Sequence, residues 1–132
     1  MANTITTTSI INGSRVLAVE IQILGDGSGE ESDTVVVDYS ALATEPGVTE
    51  LALRKFAANV NGFTAELQWD ATTDIPFLTI PDGPSGFDVA QFFGGPVNDR
   101  TGAGQTGDVL MTTVGLGAGD TGTIFLEFIK KH

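Results

Sequence analysis

The sequence predicts an all-β fold: a single-domain antiparallel β-sandwich, jelly-roll-like, with about eight strands and long Gly-rich loops. Three observations predict it. Thr, Val and Ile are abundant, and branching at Cβ suits a pleated, half-buried surface. The apolar runs alternate with period two. The 17 Gly and 5 Pro gather between those runs, where turns require them. With 132 residues, 41% of them hydrophobic, the chain can bury one core without staples, and residues 1–132 read as one domain.

Asn3 to Ile11 is neutral, Thr-rich and β-prone. It reads as a first strand inside the domain. The alternative for residues 1–13 is an arm that adds to a neighbouring subunit's sheet, because an extended neutral segment offers a row of backbone donors and acceptors. Ser14 to Leu24 alternates, with Leu17, Val19, Ile21 and Ile23 on one face and Ala18, Glu20 and Gln22 on the other. An acidic glycine turn, Gly25 to Asp33, leads into a strand from Thr34 to Tyr39, and the two runs read as a hairpin with a long loop. Val35, Val37 and Tyr39 share one register.

Thr49 to Val60 follows a connection containing Glu45-Pro46-Gly47. Leu51, Leu53, Phe56, Ala57 and Val60 suit a helix or a bulged strand, and strand is preferred. Asn61-Gly62 predicts a tight hairpin into the alternating run Phe63, Ala65, Leu67 and Trp69. After a loop comes Phe77 to Ile80, broken by the stretch Pro81 to Gly86. Phe87, Val89, Phe92 and Phe93 form a last apolar patch before the longest loop, Gly94 to Gly107. Asp108 to Val114 and Thr121 to Lys130 are the final strands.

The chain's chemistry is sparse. It has no cysteine, and its one histidine is His132, whereas nucleophilic catalysis and transition-metal binding usually draw on those residues. The net charge of −11 repels nucleic-acid phosphates and anionic membranes, so neither is an expected partner. No apolar run reaches spanning length, and the opening Met-Ala-Asn-Thr reads as the start of a protein made in the cytoplasm.

Individual motifs dissolve on inspection. Gly102-Ala103-Gly104-Gln105-Thr106-Gly107 fits a dinucleotide fingerprint, but a β-patterned run follows where a helix is needed. The same stretch fits a phosphate loop except that Asp108 stands where Lys is required. Asp26, Glu30, Glu31 and Asp33 could offer oxygens to calcium, yet they lack the spacing of an EF-hand, so a solvated acidic turn is expected. Trp69 could be a sugar platform, but its register points it into the core. Asp70 with Asp74, or Asp82 with Asp88, could pair for glycoside hydrolysis on paper, although Asp is favoured in turns anyway. No catalytic, cofactor or metal site is expected.

Several segments occur in succession: Asp33-Thr-Val-Val-Val-Asp38 after an acidic glycine turn, Gly62 to Asp74, Thr101 to Leu110, and Gly115 to Ile124. Together they resemble a group of small virion structural proteins of tailed bacteriophages, over most of the chain. The resemblance implies a non-enzymatic capsid decoration or cement protein that stabilises the head and sits on the capsid surface after synthesis in the host cytoplasm. A tail or neck component is the alternative within virions, and a carbohydrate-binding β-sandwich for host adsorption is the alternative outside that class. The implied partners are the major capsid protein and copies of the chain itself, with a trimer as first expectation. Expected interface residues are Thr4, Ile5, Thr6, Thr7, Thr8, Ile10 and Ile11, together with Phe93, Pro96, Val97 and Arg100 in and beside the long loop.

Overall fold

The computed structural model describes residues 3–13, 15–39, 50–72, 74–88 and 108–131. These hold nine strands: β1 (Thr4–Asn12), β2 (Val16–Leu24), β3 (Thr34–Val37), β4 (Glu50–Asn61), β5 (Thr64–Trp69), β6 (Ile75–Ile80), β7 (Gly83–Asp88), β8 (Val109–Val114) and β9 (Thr121–Lys131). One sheet has five strands in the order β1-β2-β9-β4-β7, and the other has four in the order β3-β8-β5-β6.

That order has a simple origin. The pairs β2 with β9, β3 with β8, β4 with β7 and β5 with β6 are successive rungs of one antiparallel ribbon. Alternate rungs lie in opposite sheets, so the ribbon is rolled around a single core. This is the double-sheet jelly roll, with β1 added outside β2.

The core follows the alternation of the strands that line it. Leu17 pairs with Phe128, Val19 with Leu126 and Ile21 with Ile124. Leu53, Phe56 and Ala58 of β4 continue the same three rows on the other side of β9. All nine side chains are buried. Across the sandwich stand Ala65, Leu67 and Trp69 of β5, with Val109 and Met111 of β8.

β4 resolves the segment that suited helix or bulged strand. The ladder shifts between Leu53 and Lys55, so the core-facing positions change from odd (Leu51, Leu53) to even (Phe56, Ala58, Val60), with Ala52 buried as well. A bulge sets two residues against one. Ala57, grouped with the apolar positions in the sequence, therefore lies on the outer face, and Ala58 is buried instead. The bulge also brings Arg54 Nη1 to 3.3 Å and Lys55 Nζ to 3.8 Å from Glu127 Oε2.

Four expectations need correction. β2 and β3 are not a hairpin, because the chain leaves one sheet at Gly25 and enters the other at Thr34. Asn61-Gly62 does not close a hairpin either: β4 and β5 belong to opposite sheets. Gly62, at φ 95°, supplies the left-handed backbone the signal demanded, but it turns a corner. Its N–H donates to Asp82 Oδ1 at 3.1 Å, tying this corner to the one between β6 and β7. The stretch from Pro81 to Gly86 does not simply break the fold, since β7 begins at Gly83. Pro84 is tolerated there because β7 is an edge strand. Finally, a bulge between Val35 and Val37 buries Val36 and Val37 together and leaves Val35 half exposed. Tyr39 is still buried.

Phe87 lies in β7. Val89, Phe92, Phe93 and the loop Gly94 to Gly107, with its expected contacts Pro96, Val97 and Arg100, fall outside the described residues.

Candidate interaction surface

The residues that could have carried chemistry are occupied by the fold. Trp69 is 3% exposed and stacks on Phe77 with ring centroids 3.9 Å apart and planes 13° from parallel. A buried ring cannot be a sugar platform. Asp74 accepts from the N–H of Ala71 and Asp82 from that of Gly62. Asp70 and Asp74 flank the β5–β6 turn beside the Trp69–Ile75 pair, whereas Asp82 stands at the other end of β6. The side chain of Asp88 lies outside what is described.

The four acids of the Asp26 to Asp33 turn diverge to separate donors. Asp26 caps Ser28, and the hydroxyl and N–H of Ser28 hold its carboxyl below the usual range. Glu31 accepts from Thr34 Oγ1 and Asn3 Nδ2, and Asp33 is bonded to Thr112. Glu30 reaches furthest along the sequence. Its carboxylate accepts the N–H groups of Gly115 (2.7 Å) and Leu116 (3.0 Å) and the hydroxyl of Thr113 (2.9 Å). Among the described residues no three metal-binding side chains converge.

These bonds, first that from the Leu116 N–H and then that from Thr113, hold the Glu30 carboxyl below the usual glutamate range. The sign follows from linkage. A depressed folded-state pKa gives stability that is complete above the unfolded value and is lost as pH falls through the folded one. In Glu30→Gln the stability deficit relative to the parent should therefore be largest at neutral pH and shrink on acidification. Urea titrations across pH check this, and a deficit constant from neutral to strongly acidic pH would contradict it.

What the fold leaves unoccupied is a surface. On the outer face of the five-stranded sheet, Ile10 (53% exposed), Ile11 (49%), Phe125 (42%) and Ile129 (37%) stand out. A depression of about 190 Å3 lies among Ile10, Ala18, Phe56, Phe125 and Glu127. Strand direction places this apolar patch toward one end of the sandwich, where β1 and β9 finish and β4 begins. Basic residues share that end: Arg15, Arg54, Lys55, Lys130 and Lys131 all occur there. Acidic residues occur at both ends: Asp26, Glu30, Asp82 and Asp120 in the turns at the opposite end, and Asp38, Asp70, Asp74 and Asp108 at this one, where β3 and β5 finish and β6 and β8 begin. Lys130 is itself buried, donating to Asn12 Oδ1 and, at 2.7 Å, to the Gly13 carbonyl, which pins the β1–β2 hairpin.

The expected contacts Thr4, Ile5, Thr6, Thr7, Thr8, Ile10 and Ile11 come together as β1, an edge strand of the chain's own sheet. Thr4, Thr6 and Thr8 face outward, while Ile5 packs against the core. Asn3 anchors the strand: its amide donates to the Gly29 carbonyl and Glu31, and its carbonyl accepts from the Asp26 N–H. Phe125 and Ile129 were not anticipated as surface residues. The available signal was that Ile124 to Ile129 is apolar on both parities except at Glu127, the pattern of a strand covered on both faces.

No protein-family model matches the chain, and no curated protein matches it in sequence. Among solved structures it is similar to a cupin-superfamily protein from Desulfitobacterium hafniense (10% identity, TM-score 0.34, covering 100% of this chain and 82% of that one). It is similar also to a cupin domain from Bordetella pertussis (14%, TM-score 0.32, 100% and 98%). A third is the virus-like particle of the extra small virus of the prawn Macrobrachium rosenbergii (13%, TM-score 0.32, 98% and 79%). At these TM-scores the likenesses carry no argument about function. The strand order alone establishes a jelly roll, an architecture found in viral capsid, lectin and cupin domains.

Proposed function

We propose that this chain is a non-enzymatic virion structural protein of a tailed bacteriophage, a decoration or cement protein held on the head by the major capsid protein and working alongside copies of itself. The observation that carries the reading is the exposed patch of Ile10, Ile11, Phe125 and Ile129. Arg54 and Lys55, both paired with Glu127, border it. Apolar surface concentrated on one sheet face suits a partner surface, and the remaining acidic exterior keeps particles apart. The sequence resemblance supplies the setting. The carbohydrate-binding alternative lost its platform when Trp69 proved buried, while a tail or neck location uses the same patch.

Co-sedimentation tests the reading. The purified chain should pellet with heads of the parent phage that lack it. Phe125→Asp, a change at an exposed position, should leave the fold intact and weaken pelleting by about tenfold or more, as expected for an anchor at an interface centre. Equal pelleting of the variant would remove the patch from the contact, and no pelleting of the parent chain would remove the head.

A further inference from the structure

We infer that the edge of β1 that no described strand covers pairs with β1 of a second copy, antiparallel and about a two-fold axis at Thr6, joining the two sheets into one. The contact is a property of the isolated chain and stands apart from the assignment to a phage head.

Sheet edges invite pairing, and proteins ordinarily block them with charge, proline, bulges or shortness. Among the described residues there are four edges, and three are blocked. β7 carries Pro84 and two positive-φ glycines, Gly83 and Gly86. β6 carries Pro76 opposite a register shift between Leu67 and Gln68. β3 has only four residues and contains a bulge. β1 has nine residues, Thr-Ile-Thr-Thr-Thr-Ser-Ile-Ile-Asn, with no charge and no proline. Its single irregularity, between Ser9 and Ile11, leaves Thr4 to Ser9 regular.

The occupant follows from charge and register. Two copies of a chain of net charge −11 repel one another over most of their surfaces, and β1 is a neutral line of approach. Antiparallel self-pairing must match faces, so paired residue numbers sum to an even value. An axis at Thr6 pairs Thr4 with Thr8, Ile5 with Thr7 and Thr6 with itself. Every pair then stays clear of the bulge, whereas an axis at Thr7 would draw in Ile10. The outer face becomes a row of Thr–Thr pairs, which hydrogen-bond favourably across strands. Asn3 and the bond from Thr7 Oγ1 to the Val36 carbonyl (2.7 Å) hold the strand in place, so little ordering is required on contact. The trimer that the resemblance implies would need a separate surface.

The chain's lack of cysteine makes single-cysteine crosslinking a clean test. Under mild oxidation Thr6→Cys should form a disulfide-linked dimer at least about tenfold faster than Val114→Cys, because pairing raises the effective thiol concentration. Val114 is a suitable control, being 68% exposed on the other sheet. Neither Thr4→Cys nor Thr8→Cys should crosslink well alone, but a mixture of the two should. In light scattering, Thr6→Lys should reduce the dimer of the parent chain, and mixing Thr6→Lys with Thr6→Glu should restore it. Crosslinking of Thr6→Cys no faster than the Val114→Cys control would overturn the proposal, as would a parent chain that stays monomeric at concentrations where the mixed-charge pair also does.

Discussion

Trp69→Ala should cost about 3–5 kcal/mol of folding stability, the range for removing a buried large aromatic. The indole is 3% exposed, stacks on Phe77 and meets Phe128 at 6.3 Å with planes tilted by 53°. It sits at the end of β5, paired with Ile75 and Val109, and closes the core between the two sheets. Alanine would leave a cavity and break an aromatic pair that contributes about 0.5–1.5 kcal/mol beyond its buried area. Against a typical total of about 5–15 kcal/mol, that is a large fraction. Urea denaturation reads it as a fall in midpoint at unchanged slope. A loss below about 1 kcal/mol would contradict the burial of this ring, since full truncation in a packed core is rarely so mild.

Gly25→Ala should be strongly damaging for a change of a single methyl group, at about 2–4 kcal/mol from overpacking and disturbed backbone bonds. Gly25 follows β2 and lies against the turn between β8 and β9. Its N–H donates to the Asp120 carbonyl at 2.8 Å, and its own carbonyl accepts from the Gly119 N–H at 3.0 Å. A Cβ there would lie 2.2 Å from the Gly117 carbonyl oxygen. Backbone cannot rotate aside as a side chain can, so the two segments must separate. Gly29→Ala is the contrast within the same turn. Gly29 has φ 124° but nothing within 4 Å of a Cβ, so it carries only backbone strain of about 1–3 kcal/mol. Calorimetry should rank the melting temperatures as parent, Gly29→Ala, Gly25→Ala, and a reversed order would refute the close approach.

The strands that line the core were legible because burial on one face writes itself into the sequence as period two. β2 is the clearest case, and β5 follows it residue for residue. What sequence reading missed was which sheet each strand joins. Asn61-Gly62 specifies a reversal of backbone direction, and the same chemistry serves a hairpin or a corner between sheets. The choice was made by partners far along the chain, β9 and β7 for β4, β8 and β6 for β5. β7 was hidden for a related reason: Pro84 and its flanking glycines look like a break, and only an edge position makes them compatible with a strand.

The candidate surface was half legible. The neutrality of residues 4–12 marked β1 from composition alone. Phe125 and Ile129 were obscured, since an apolar run does not say which of its faces meets solvent. The acidic turn was visible as a cluster, but Glu30 finds its partners 83 to 86 residues away. Those bonds turn a would-be cation site into a clasp between two loops.

The most direct test of the central reading is cryo-electron microscopy of the parent phage particle. Density for a jelly roll is expected on the outside of the head, with the outer face of the sheet holding β1, β2 and β9 turned toward the capsid protein at Phe125 and Ile129. Particles that contain the chain but show no such density on the shell would contradict it.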